Sequence, residues 1–200
     1  MLALELDWNI LDSGALYRTL AYFMSENAIN LDNFEENKEL LKERFKVSFD
    51  PGTPGEPVRV LFENNDITSI VRTEEMAKLT SNLAAKPIIR EFIKPAQRDF
   101  MKAPGLIADG RDMGTVIFSD AKYKIFLTAS VEERAKRRQT QLKRQGLEVN
   151  MRSLLQELEE RDRKDTGREH SPLVPAKDSV IIDTSNLNPE GVVKEIKTYL

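Results

Sequence analysis

Apolar residues recur at helical spacing between Ser13 and Ser25 (Leu16, Leu20, Phe23, Met24), and a short apolar strand, Asn9 to Asp12, leads into them. The preceding octet, Met1 to Trp8, reads as the last two turns of an amphipathic helix with no N-cap before it. A Glu- and Lys-rich helix is predicted over Phe34 to Phe45. From Lys46 the period drops toward two: Val47-Ser48-Phe49 and Val58 to Phe62 are β-like. The stretch Asp50 to Pro57 holds three prolines and two glycines and is a loop. Asn64-Asn65-Asp66 is a turn signal, so residues 46–71 form a small antiparallel insert.

Helical patterning resumes from Thr73 to Met101, with Pro87 and Pro95 as breaks or kinks. Three short apolar runs then read as buried parallel strands: Leu106 to Asp109, Tyr123 to Thr128 and Val180 to Asp183. Ser130-Val131-Glu132-Glu133 is a capping box for a basic helix reaching Arg144. Asn150 caps another helix to about Lys164, and Val192 to Leu200 closes the chain as a helix. The order βα, insert, βαβαβα predicts an α/β fold: a parallel sheet with helices on both faces.

Composition narrows the chemistry. Two hundred residues suffice for one domain with a real core. With 30 basic and 33 acidic residues the net charge is −3, which disfavours nucleic acid as a partner. No cysteine is present and His170 is the single histidine, which excludes thiolate, disulfide and His-rich metal chemistry and fits a reducing cytoplasm. No apolar run approaches the ~20 residues of a membrane span. His170 reads as an exposed loop residue, and Trp8 as core.

Three clusters could carry chemistry. Asp109-Gly110-Arg111-Asp112 follows a strand end, where α/β proteins place ligand-contacting groups; the bland alternative is a tight turn. Arg161, Asp165 and Arg168 fall at i, i+4, i+7 and share a helix face, Gly167 being a candidate helix end; this charged stretch could equally be a solvated, salt-bridged surface. In the basic helix, Glu132→Lys136 and Glu133→Arg137 are favourable pairs on what could equally be a solvated face. Arg134 and Arg138, outside those pairs, could neutralise a phosphoryl group, while an RNA-binding face lacks interleaved aromatics. Ser13-Gly14 alone reads as a helix N-cap.

The segments Leu11 to Arg18, Ser81 with Arg90, Gly105 to Thr115 and Glu160 to Ala176 together resemble the bacterial cytidylate kinases in order and spacing, over nearly the whole chain. The resemblance implies a nucleoside monophosphate kinase fold, with 46–71 as the arm beside the monophosphate, a lid at about 130–168 and the core in 1–45 and 72–200. It implies transfer of phosphate from ATP, with Mg²⁺, to CMP or dCMP; from the composition, a cytoplasmic monomer with no nucleic-acid or membrane partner is expected.

Residue by residue, it assigns Asp112 to the cytosine amino group, Arg90 and Ser81 to cytosine N3 and O2, and Arg161 and Asp165 to the sugar hydroxyls. Arg18, Arg111 and Arg168 fall to the acceptor phosphate, with Ser13 in the substrate-binding set. Asp109 would hold Mg²⁺ through water, and Arg134 and Arg138 would face ATP. A UMP or AMP kinase is disfavoured by Asp112 with Arg90 and Ser81.

The pattern also includes a first strand and a G-x-x-x-x-G-K-[ST] loop that cradles ATP phosphates. No such loop occurs in these 200 residues. The expectation is a chain that starts within the helix after that loop, lacks the central first strand, is poorly stable alone, and is inactive or weakly active. A remnant that binds CMP without catalysis is the alternative.

Overall fold

A computed structural model describes residues 1–53, 56–144, 146–169 and 171–200. His170, expected in an exposed loop, lies outside the described residues, as do Pro54 and Gly55 of the loop in the insert. The chain divides into two compact units, Met1–Gly110 and Arg111–Leu200.

In the first unit, α1 (Leu2–Leu6) is followed by β1 (Asn9–Asp12), α2 (Ser13–Glu26) and α3 (Lys38–Arg44). The insert supplies β2 (Val47–Asp50), β3 (Arg59–Phe62), β4 (Asn65–Asp66) and α4 (Thr68–Val71); then come α5 (Glu74–Ala84), α6 (Pro87–Arg98) and β5 (Leu106–Asp109). β1 and β5 pair in parallel, with Leu11 opposite Ala108 and Asp12 opposite Asp109. β2, β3 and β4 form the antiparallel insert.

Several boundaries differ from the sequence expectation for identifiable reasons. The N-cap of α2 is Asp12, whose Oδ1 accepts from Ala15 N–H at 2.8 Å, so Ser13 is not the cap but the first helical residue. Asn65 and Asp66 pair with Phe62 and Leu61 as a third strand, and the turn is Glu63-Asn64, both at positive φ. Helix over 34–45 shrinks to α3. The stretch 73–101 breaks before Pro87, which sits in the first turn of α6, whereas Pro95 lies inside that helix without ending it.

The first unit's core is built from α2 outward: Leu11, Leu16, Leu20, Phe23, Phe34, Leu41, Val60, Ile89 and Ile93 are buried. Phe23 meets Phe62 of the insert edge-on at 5.5 Å, and Phe34 meets Phe92 of α6 at 5.4 Å. These contacts seat α2 against the insert and α6 against the segment before α3. Trp8 is only half-buried; its ring lies over Gly105, where a Cβ would come within 2.5 Å of it.

The second unit opens with a π-helical turn, Met113–Ile117, which periodicity did not foretell. Ile117 N–H reaches back to Asp112 O (3.2 Å) and Phe118 N–H to Met113 O (2.7 Å), both five residues away. β6 (Ile125–Thr128) and β7 (Val180–Asp183) pair in parallel; α7 (Val131–Arg144), α8 (Met151–Thr166) and α9 (Pro189–Lys197) complete the unit. The last helix thus starts and stops three residues before the expected 192–200, because Asn188 caps it through Gly191 N–H. α7 and α8 pack through Ala135, Leu142 and Leu154.

The fold is α/β with parallel strand pairing, as expected. Its parallel strands form two two-stranded sheets, β1–β5 in the first unit and β6–β7 in the second.

Candidate active site

Each unit carries part of the expected constellation. In the first, β1 and β5 end side by side on Asp12 and Asp109. Asp109 is exposed; Asp12 is held by Arg72, whose Nη2 donates to Asp12 Oδ2 (3.2 Å) and Val58 O (2.9 Å). Arg72 thereby ties the segment before β3 of the insert to the end of β1. Arg18, one turn into α2, donates to Val71 O at 3.1 Å. Arg90 donates to Ala84 O at 3.2 Å and lies 5.9 Å from the Tyr17 ring, which orients its guanidinium. Ser81 is half-buried on α5. Ser13 is buried and accepts from Gln97 Nε2 at 2.8 Å.

In the second unit, Asp112 is buried immediately before the π turn. Asp165, on the last turn of α8, is the focus of three arginines. Its side chain is 4% exposed; Arg168 Nη2 donates to Oδ1, while Arg111 Nε lies 3.1 Å and Arg161 Nε 4.0 Å from Oδ2. Oδ2 is buried and accepts no aligned hydrogen bond. Half the Arg161 side chain is open to solvent, yet the protein crowded around its guanidinium lowers its pKa from the ordinary arginine value. Arg111 lowers it next, Asp165 opposes, and Arg168 adds a smaller push. An arginine remains charged at neutral pH regardless.

The 161/165/168 spacing marks an ion-pair cluster around a buried carboxylate, with the Arg161 side chain half open to solvent. Gly167 caps α8, leaving Arg168 just beyond the helix but still on Asp165. The solvated face does exist one residue over, in Glu160 and Lys164 (2.7 Å).

The basic helix departs from expectation. Ser130 Oγ accepts from Glu133 N–H (3.2 Å), half of the capping box, but Ser130's own N–H is taken by Ser185 Oγ (3.1 Å). Lys136 pairs with Glu133 rather than Glu132. Arg137 does not pair with Glu133; it reaches Thr184 O (2.5 Å) and Thr184 Oγ1 (3.3 Å) beyond β7. Arg134, reasoned to be free of local pairs, makes a two-pronged pair with Asp162 of α8 at 3.0 and 2.5 Å. Arg138 bonds Gln141 at 2.9 Å, and burial lowers its pKa.

Of the expected residues, Arg111, Arg161, Asp165 and Arg168 are brought together in one cluster, while Arg134 is drawn to Asp162 instead. Sequence reasoning missed Asp12, Arg72, Gln97 and Asp162. Gln97 had a readable signal, since the buried stripe Ile89, Ile93 on α6 reaches it four residues on. Asp12, a good capping residue just before a helical pattern, had one too.

A family model for cytidylate kinase matches residues 1–200. The cytidylate kinase of Shewanella frigidimarina is 48% identical over 200 residues, covering all of this chain and 87% of that protein. That of Pseudomonas entomophila is 46% identical over 200 residues, with the same coverage. The Stutzerimonas stutzeri cytidylate kinase is 46% identical over 196 residues, 98% of this chain and 85% of that protein.

The chain belongs to the cytidylate kinase family.

Family membership gives the arginine-rich second unit a chemical context. A cytidylate kinase is a phosphotransferase, and phosphoryl transfer depends on positioning and charge neutralisation more than on a strong base. Among the described residues, no group of three or more His, Cys, Asp or Glu side chains could hold a metal ion. A single exposed strand-end carboxylate such as Asp109 still fits Mg²⁺, which retains most of its waters and takes few protein ligands. No described helix is long and apolar enough to cross a membrane.

Proposed function

We propose that these residues bind CMP or dCMP as acceptor for the γ-phosphoryl group of ATP, giving CDP or dCDP. The observation that carries this reading is the Asp165 cluster. A buried carboxylate oxygen with no aligned donor, ringed by Arg111, Arg161 and Arg168, offers an acceptor for a sugar hydroxyl beside cations suited to phosphate. Arginine serves because its planar fork binds two oxygens at once.

On this reading Asp112 accepts from the cytosine amino group and Arg90 with Ser81 donates to N3 and O2. Arg18, Arg111 and Arg168 hold the acceptor phosphate, with Ser13 at the start of α2. Arg134 and Arg138 face the donor. Asp109 would hold Mg²⁺ through water, and the ion would neutralise charge on the donor phosphates.

The acceptor phosphate oxygen attacks the γ-phosphorus as the bond to the β–γ bridging oxygen breaks. The arginines compensate the charge spread over the transferring group.

Thermal unfolding with CMP, UMP, AMP and ATP·Mg²⁺ tests this. A ligand at 100 times its Kd stabilises by about 2.7 kcal/mol. CMP is expected to raise the Tm most. Equal shifts from CMP and UMP, or none from CMP, would overturn the reading. A coupled assay for CDP formation separates binding from transfer.

A further inference from the structure

Gln97 is closed to solvent (0% exposed), at the position where the stripe Ile89, Ile93 would next place a hydrocarbon. Burying an amide is unfavourable unless its polar atoms are bonded, so an amide at this core position needs a reason. Its Nε2 makes a single bond, 2.8 Å to Ser13 Oγ across 84 residues, and its Oε1 has no partner.

Ser13 is not occupied elsewhere in its local structure. Capping of α2 is done by Asp12 Oδ1 on Ala15 N–H. A hydroxyl has one hydrogen and two lone pairs. Gln97 uses a lone pair, so the hydrogen stays available for an acceptor. Gly14, next in the chain, is exposed, while Ser13 is 4% exposed, so the hydroxyl sits just beneath the surface of the first turn of α2.

We propose that Gln97 is a positioning residue: it locks the Ser13 hydroxyl as a donor to an oxygen of the acceptor phosphate. This rests on the reading of Ser13 as an acceptor-phosphate ligand. Gln97 touches no substrate and acts through Ser13, so its effect belongs to the phosphate and not to the base or sugar.

The experiment is calorimetric titration of CMP and of cytidine into the wild-type chain and into the Gln97→Leu, Gln97→Glu and Ser13→Ala variants, with a thermal melt for each. Gln97→Leu should weaken CMP about 5- to 10-fold, one neutral hydrogen bond's worth, and leave cytidine unchanged. Gln97→Glu should weaken CMP more, because a carboxylate would take the Ser13 hydrogen for itself. Gln97→Glu also keeps the size and polarity of the side chain if the leucine fails to fold.

Loss of CMP and cytidine affinity by the same factor in both Gln97 variants, or no change in either, would overturn the proposal. If Ser13→Ala lowers the CMP-to-cytidine affinity ratio while the Gln97 variants do not, positioning fails and the Ser13 reading stands. An unchanged ratio in Ser13→Ala removes the reading itself, and the proposal with it.

Discussion

Arg111 Nε lies 3.1 Å from Asp165 Oδ2, an ion pair across 54 residues in which the carboxylate is buried and the arginine nearly half exposed. Arg168 on the other oxygen and Arg161 at 4.0 Å complete a three-to-one excess of positive charge. Such an excess is unfavourable within the protein alone and favours an anion nearby.

Asp165→Asn should therefore do two things. Removing the buried charge from three arginines should destabilise the second unit by about 2 kcal/mol. That is below the 3–5 kcal/mol of a fully buried pair, because Arg111 and Arg161 reach solvent. CMP affinity should fall, since the amide cannot accept from a sugar hydroxyl and hold Arg168 equally well. Denaturant unfolding and CMP titration measure the two effects. Unchanged CMP affinity would mean Asp165 organises the arginines without meeting substrate.

Gly105→Ala probes packing away from the site. A Cβ there would stand 2.5–2.9 Å from three atoms of the Trp8 ring, so the ring must move. Overpacking of this kind costs about 1–3 kcal/mol. Trp8 is the only tryptophan, so its emission reports the displacement directly. A variant with unaltered stability and emission would show that the ring is loosely held.

Much of this was legible in the chain, for reasons that differ by element. β5 was readable because an apolar run ends sharply at Asp109-Gly110, and the face shared by Arg161 and Asp165 followed from helical spacing alone. The fate of that face was not readable: periodicity says which side chains stand together, while burial depends on what packs over them. The π turn at 113–117 was invisible because its five-residue hydrogen bonds leave no distinctive apolar spacing. Arg137 shows the same limit, since local spacing pairs it with Glu133 but the end of β7 offers carbonyls it prefers.

Asp112→Asn should relax base selectivity. A buried carboxylate accepts from the cytosine amino group and repels the uracil O4, whereas an amide can donate to O4. The CMP-over-UMP preference should fall by about 1–3 kcal/mol in binding. Competition titration with the two nucleotides checks this. Retained preference would move base recognition to Arg90 and Ser81.

Acid should weaken the second unit through Lys124 and Asp178. The Lys124 side chain is 8% exposed and its Nζ lies 2.5 Å from Asp178 Oδ2. Hydrogen bonding from Lys124 lowers the Asp178 pKa below its usual 3.8, helped by a backbone N–H and by the lysine's charge, and opposed by burial. The folded state thus holds this proton less tightly than the unfolded chain. The resulting stability is fully present above the unfolded value and is lost as pH falls through the lower folded one. The Tm should be flat from about pH 7 to 5 and drop below about pH 4. Asp50, Asp66, Glu160 and Asp183 are shifted the same way, so the informative quantity is the difference between wild type and Asp178→Asn. The variant should have a lower neutral Tm, because the Lys124 ammonium stays buried without its counter-charge, and a shallower acid limb. Parallel Tm curves offset by a constant would show that the Asp178 carboxylate supports Lys124 through packing alone and that its titration is not felt by folding.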